Sequence, residues 1–130
     1  MKQGFGVLAV LSARRGVSLT PRERTIFIAH ALTGWAFAWA NPASTAGEFE
    51  EKGVVYWAPA HPHWLELLAG AALAASTLAL VAVLAGRARR RAMIPPAPLA
   101  GFLVSIWSWS ILSSVDPLLR YAIPALHSIQ

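Results

Sequence analysis

Hydrophobic positions in this chain gather into long runs, separated by short charged or proline-bearing breaks. The longest run, Leu67 to Gly86, holds no ionisable side chain. About 20 apolar residues at ~1.5 Å each make ~30 Å, the thickness of a bilayer's hydrocarbon layer, so the run predicts a transmembrane helix. A second run, RERTIFIAHALTGWAFAWA, is introduced by Thr20-Pro21-Arg22-Glu23. Thr20 caps a helix there, Pro21 fills the first helical position where no amide donor is needed, and Glu23 reaches back to the Thr20 amide as a capping box. Asn41-Pro42 ends this helix, because a residue before proline is pushed out of helical geometry. The third run, Leu99 to Val115, follows the Pro95-Pro96 pair that marks its start.

The pattern predicts an all-α integral membrane protein with about three transmembrane helices in one membrane domain, 1–130. Its segments are a cytoplasmic lead-in over 1–20, a first span over 21–40, an outer loop over 41–62, a second span over 63–86, a cytoplasmic turn over 87–96, a third span over 97–115 and an outer tail over 116–130. In the first span Thr25 to Ala40 forms the lipid-core portion, and Arg22 and Arg24 snorkel to the headgroups. The apolar stretch Phe5 to Leu11 is short and Arg14-Arg15 follows at once, so it reads as a cytoplasmic or interfacial lead-in rather than a cleaved secretory signal. Tyr56, Trp57, Trp64 and Tyr121 suit the membrane–water boundary. Asp116-Pro117 repeats the helix-start logic, and the tail reads either as an interfacial helix kinked at Pro124 or as the start of a fourth span.

Composition agrees with this class: 56% of residues are hydrophobic, 13% are charged and the mean hydropathy is +0.51. The net charge of +5 does not point to nucleic acid, because the basic residues sit in short groups beside apolar runs, where a lipid bilayer is their counterpart. No cysteine is present, which excludes disulfides, thiolate metal sites and cysteine nucleophiles. Charge also sets the topology. With the N-terminus cytoplasmic, Lys2, Arg14, Arg15, Arg22, Arg24, Arg87, Arg89, Arg90 and Arg91, nine of eleven basic residues, lie inside, and only Lys52 and Arg120 lie outside. Alanine and arginine richness fits a bacterial inner membrane.

Small residues are the best guide to helix contact in lipid, where leucine gains little by leaving one apolar medium for another. Gly70/Ala74, Ala71/Ala75 and Ala82/Gly86 on the second span are expected to face the stripe Ala97, Gly101, Ser105 and Ser108 on the third. Gly34 and Ala38 continue the same spacing on the first span.

Two constellations carry candidate chemistry. His30 is the ionisable residue expected inside the hydrocarbon region, a costly placement that raises the question of function. Beside small residues and ahead of Trp35, Phe37 and Trp39, its imidazole could ligate a haem iron or a pigment magnesium; the plainer expectation is a hydrogen bond to Ser105, Ser108 or a backbone carbonyl. The string IAHALTGWAFAWANP resembles the histidine-and-tryptophan span of bacterial light-harvesting polypeptides over that stretch alone. Its tryptophans fall at other offsets, and those polypeptides cross the membrane once, so no family follows from it. The second constellation is His61-Pro62-His63, with His127 on the same outer side, a set of imidazoles able to hold zinc, copper or iron if the tail folds back; a polar headgroup-level loop is the plainer expectation.

No Gly-rich phosphate loop, HExxH or GxSxG pattern occurs. Three short spans enclose little volume, and one histidine with several serines is a thin inventory for catalysis, which leans against an enzyme. The expected role is a non-enzymatic subunit or assembly partner of a membrane complex, or part of a longer membrane protein. A metal-binding protein or metalloenzyme using the outer histidines, and a haem or pigment carrier through His30, are the alternatives.

Overall fold

The structure, a computed structural model, describes residues 2–40, 47–58 and 61–115. Four helices and one hairpin follow along them: α1 (Lys2–Arg14), α2 (Pro21–Ala40), β1 (Gly47–Glu51), β2 (Val54–Ala58), α3 (His63–Arg89) and α4 (Pro96–Val115). The molecule is mostly helical, and α3 is long and apolar enough to cross a membrane. Shorter apolar stretches lie at Gly4–Arg14 and Pro96–Ser108. In α2 the charged first turn and the embedded His30, Thr25 and Thr33 dilute an otherwise apolar helix.

Local chemistry explains the main helix boundaries. At the start of α2 the Thr20 amide donates to Glu23 Oε2 at 2.8 Å and the Glu23 amide to Thr20 Oγ1 at 3.3 Å, the reciprocal capping box expected from the sequence. Helix α3 begins directly after Pro62, as expected, but runs to Arg89, past the expected end at Gly86. Its stop is a Schellman motif in which Arg91 N–H bonds the Ala88 carbonyl and Ala92 N–H the Arg87 carbonyl. Arg91 takes the left-handed position at φ 54°, a conformation that costs a non-glycine residue about 1–2 kcal/mol.

Two segments depart from expectation. The segment over 1–20, expected only as a cytoplasmic or interfacial lead-in, is mostly α1, which lies along α4 with Leu8 and Ser12 fully buried. Seven apolar residues are too few to span, yet Phe5, Leu8 and Ser12 fall on one helical face, and that suffices for packing. The outer loop over 41–62 contains an antiparallel hairpin, so the fold is helical with one two-stranded sheet rather than all-α. Lys52 (φ 53°) and Gly53 (φ 79°) form the left-handed pair of a two-residue turn, whose twist matches the strands it joins. The register sets Glu48 opposite Trp57 and Glu50 opposite Val55.

The central helix is α2. It packs against both α3 and α4, and α1 packs along α4 with Leu8 in the same core. The small-residue stripes of α3 and α4 are therefore not the main seam; Ala74, Ala75 and Gly101 are exposed. The seam belongs to α2, whose inward face carries Phe27, His30, Ala31, Gly34 and Ala38. Phe27 meets Phe102 edge-on with ring centroids 5.4 Å apart, within a core that also holds Leu8, Leu80, Ile94 and Ile106. Gly34 lets α4 come close: a Cβ there would stand 2.6 Å from Ile106 Cγ2.

That contact generates a test. Gly34→Ala should destabilise the fold by about 1–3 kcal/mol through overpacking, because Cγ2 sits on the branched carbon and cannot swing away. Adding Ile106→Ala should recover part of the loss, measured as thermal unfolding of the detergent-solubilised chain; a neutral Gly34→Ala would refute the close approach.

Candidate functional site

His30 reaches the interior because it shares a helical face with Phe27, Gly34 and Ala38. It is fully buried. Its Nδ1 lies 3.2 Å from Ser76 Oγ on α3, and Ser76 Oγ lies 2.7 Å from Thr33 Oγ1. Ser76 also donates to the Leu73 carbonyl at 2.9 Å; the single Thr33 proton serves either Ser76 Oγ or the His30 carbonyl, 3.1 Å away, and the shorter contact to Ser76 is the better placed. Because the Ser76 hydroxyl gives its one proton to Leu73, the arrangement that satisfies this cluster has Nδ1–H donating to Ser76 and the lone pair on Nε2. Nε2 is buried and has no partner among the described residues. The indole of Trp107 lies beside the ring, centroids 5.9 Å apart.

The hydrogen-bond partner is thus Ser76, not the expected Ser105 or Ser108. Ser105 turns its hydroxyl to the Phe102 carbonyl of its own helix at 2.8 Å. Bonding between helices through serine does occur, from Ser110 to the Gly34 carbonyl at 3.2 Å. The sequence signal for Ser76 was its place as the one serine within the longest apolar run. Chemically, the His30 lone pair is what a haem iron or pigment magnesium would bind, and the chain offers it from a dry, aromatic-walled setting.

The outer histidines do not converge on one point. His61 lies against the Trp39 indole with centroids 4.3 Å apart, whereas His63 Nδ1 pairs with Glu66 Oε2 at 3.0 Å on the exposed first turn of α3. His127 lies outside the described residues, and no group of three His, Cys, Asp or Glu side chains that could hold a metal occurs among them.

The strongest polar constellation joins Glu23 and Arg87, which the sequence placed separately in a capping box and in the basic turn over 87–96. Arg87 is mostly buried and donates from Nε to Glu23 Oε1 at 2.8 Å and from Nη2 to Oε2 at 2.7 Å. Its remaining donors reach the Ala92 carbonyl at 3.1 Å and the Ser18 carbonyl at 2.6 Å. One guanidinium therefore ties α2, the segment before it, α3 and the turn after it. Glu23 lies in the charged first turn of α2, ahead of the apolar portion. The Arg87 guanidinium holds its carboxyl down at about 2, with the Thr20 bonds assisting and burial opposing.

Comparisons against family models, curated proteins and solved structures give no match for this chain.

Two outcomes follow. Since the folded Glu23 value lies below the ordinary 4.5, its contribution to stability is complete above pH 4.5 and is lost as pH falls toward 2. Arg87→Met should cost about 3 kcal/mol at neutral pH, the lower end for a buried pair because Glu23 retains 17% exposure. Glu23→Leu in the same chain should restore most of it, and Glu23→Gln alone should flatten the acid step; unfolding followed from pH 7 to pH 2 decides both. For His30, the chain isolated from its native cells and scanned from 350 to 900 nm should show a band that His30→Ala abolishes if Nε2 is a ligand. A featureless wild-type spectrum assigns His30 to helix packing alone.

Proposed function

We propose that this chain is a multi-pass protein of a bacterial inner membrane, serving as a non-enzymatic subunit or assembly partner of a larger membrane complex or as part of a longer membrane protein. The observation that carries the reading is the outward surface of α3. Its most apolar 18-residue window has a mean hydropathy of 2.3 and is only 17% buried, whereas an apolar helix at the core of a water-soluble domain is covered. Leu67, Leu68, Leu78 and Val81 face outward there. Ile28, Leu32 and Trp35 do so on α2, Val104 and Ile111 on α4, and Val7 and Val10 on α1. Keeping one such side chain in water costs roughly 1.5–3 kcal/mol relative to burial, so a surface of this kind calls for lipid or protein around it.

Three spans, with α1 packed against the third, give the interior little room beyond its own side chains. Of the polar groups inside, His30, Thr33, Ser76 and Ser110 bond across or along helices, and this supports an assembly role over catalysis; Ser12 Oγ and His30 Nε2 are buried with no partner among the described residues. The arginine end is favoured as the inner side by the positive-inside rule, and the Ser18 carbonyl's bond to Arg87 supports setting the segment after Arg14 and Arg15 at that same end. A second reading, a haem or pigment carrier, has one observation in its favour, the unpartnered Nε2 of His30.

The membrane reading predicts that the chain stays in the membrane pellet through alkaline carbonate. It predicts too that Leu78→Arg, at a cost of about 2.5–3.5 kcal/mol in mid-span, impairs insertion. Because the chain has no cysteine, Lys52→Cys should label from outside with an impermeant maleimide, and Arg89→Cys only after permeabilisation. Release by carbonate would sink the proposal. Native mass spectrometry tests the role: co-eluting subunits support assembly, and a bare 14.0 kDa monomer from mild detergent counts against it.

A further inference from the structure

A cleft of about 380 Å³ opens beside the Glu23–Arg87 pair, between the first turns of α2 and the last turns of α3. Its two ends differ in chemistry. Ile26, Ala79, Ala82 and Val83 form an apolar floor, and Arg22 and Arg90 stand at the charged end. The short side chains of Ala79, Ala82 and Gly86 leave the space open. The guanidinium groups of Arg22 and Arg90, on exposed residues, have no hydrogen-bond or ion-pair partner among the described residues, unlike that of Arg87. Glu23 is the one acid on the lining, and both of its oxygens are occupied: Oε1 accepts from Arg87, and Oε2 from Arg87 and from the Thr20 amide and hydroxyl. The lining therefore presents two uncommitted cations above an apolar trough, with its only carboxylate already neutralised.

We propose that this cleft binds one anionic phospholipid, its phosphate held by Arg22 and Arg90 and one acyl chain lying along Ile26, Ala79, Ala82 and Val83. The inference rests on the membrane reading above. On that reading the arginine end lies at the inner leaflet, where anionic headgroups meet basic residues. A free phosphate satisfies the cations but leaves the floor bare, and a zwitterionic lipid covers the floor but brings its own cation to Arg22 and Arg90. The volume falls within the roughly 300–1,000 Å³ range of small-ligand sites and suits a chain segment better than a whole lipid, whose second chain would remain in the bilayer.

The test is native mass spectrometry of the delipidated full chain in mild detergent, titrated separately with phosphatidylglycerol, phosphatidylcholine and inorganic phosphate. One phosphatidylglycerol should bind per chain, with phosphatidylcholine and phosphate retained at least tenfold more weakly. Arg22→Gln and Arg90→Gln should each weaken retention about fivefold and together about thirtyfold, the scale of two membrane-surface cations. Ala82→Phe should fill the trough and weaken phosphatidylglycerol at least tenfold with the charges untouched; Ala79→Leu serves the same purpose if Ala82→Phe lowers the thermal midpoint. Equal binding of both lipids in every variant would mean a nonspecific annulus, and phosphate competing at full strength with the filling variants silent would mean a simple anion site. Either result overturns the proposal. Carbonate release distinguishes the two readings: a chain that leaves the membrane yet keeps the variant pattern loses its membrane assignment and keeps its lipid site, while a chain that stays and shows no pattern loses only the site.

Discussion

The Glu23–Arg87 pair is the constraint on which the rest of this structure depends. Two charges taken largely out of water cost several kcal/mol each, and that cost is offset only where geometry is good and the remaining donors are satisfied. Here the guanidinium engages the carboxylate through two nitrogens and reaches two backbone carbonyls as well. Both carbonyls lie in connecting segments, Ser18 ahead of α2 and Ala92 after α3, whose neighbours Leu19 and Ile94 are buried in the core. The same carboxylate closes the capping box on Thr20. A single ionic contact thus joins the locally capped start of α2 to the end of α3 and fixes how the two meet. It also accounts for a left-handed Arg91: the turn that brings the Ala92 carbonyl to Arg87 requires it, and the strain is small beside the bonds it permits.

With that end pinned, α2 becomes the helix the others are built around. Its inward face alternates bulk with absence of bulk. Phe27 fills the space beside Phe102, whereas Gly34 gives space to Ile106 and offers its carbonyl to Ser110. Between them His30 and Thr33 meet Ser76 in a polar layer that selects one register of α2 against α3. A slide by one turn would strand three polar groups against leucine and alanine, at about 1–3 kcal/mol for each unsatisfied group. The apolar contacts alone would tolerate such a slide far better, so the polar layer is what makes the packing of α2 on α3 specific.

What was legible in the sequence was local. Thr20-Pro21-Arg22-Glu23 carries its own hydrogen-bond partners within one turn, so the start of α2 could be read directly, and Pro62 and Pro95-Pro96 announced α3 and α4 by removing backbone donors. The illegible parts depend on partners distant in sequence. Nothing around Arg87 distinguishes it from Arg89, Arg90 or Arg91; it differs because it faces a carboxylate 64 residues away. Ser76 likewise lies 46 residues from His30. Helix α1 was read only as a lead-in because its apolar stretch is short for a secretory signal, a criterion that does not bear on packing against a neighbour. The hairpin had a local signal, Lys52-Gly53 before Val54, Val55, Tyr56 and Trp57, but a Lys-Gly turn is weaker than Asn-Gly, and the aromatic run already had an interfacial explanation.

The division between inside and outside carries the functional argument one step further. In a water-soluble bundle apolar side chains fill the interior and polar ones cover it; here the interior is packed with Phe27, Leu80, Phe102 and Ile106 and also admits His30 and Ser110, while large apolar side chains face outward on every helix. On the proposed membrane reading such outward faces meet an apolar medium, where burying leucine gains little and interhelical hydrogen bonds and close backbone approach gain more. It also bears on activity. A reaction site needs polar groups left uncommitted in a space that substrate can enter; the hydroxyls of Thr33, Ser76 and Ser110 are each engaged with a neighbour or a backbone carbonyl, whereas Ser12 Oγ and His30 Nε2 are buried without a partner among the described residues. The uncommitted groups that other molecules can reach lie at the edge of the bundle, at the arginine end and on the outward apolar faces.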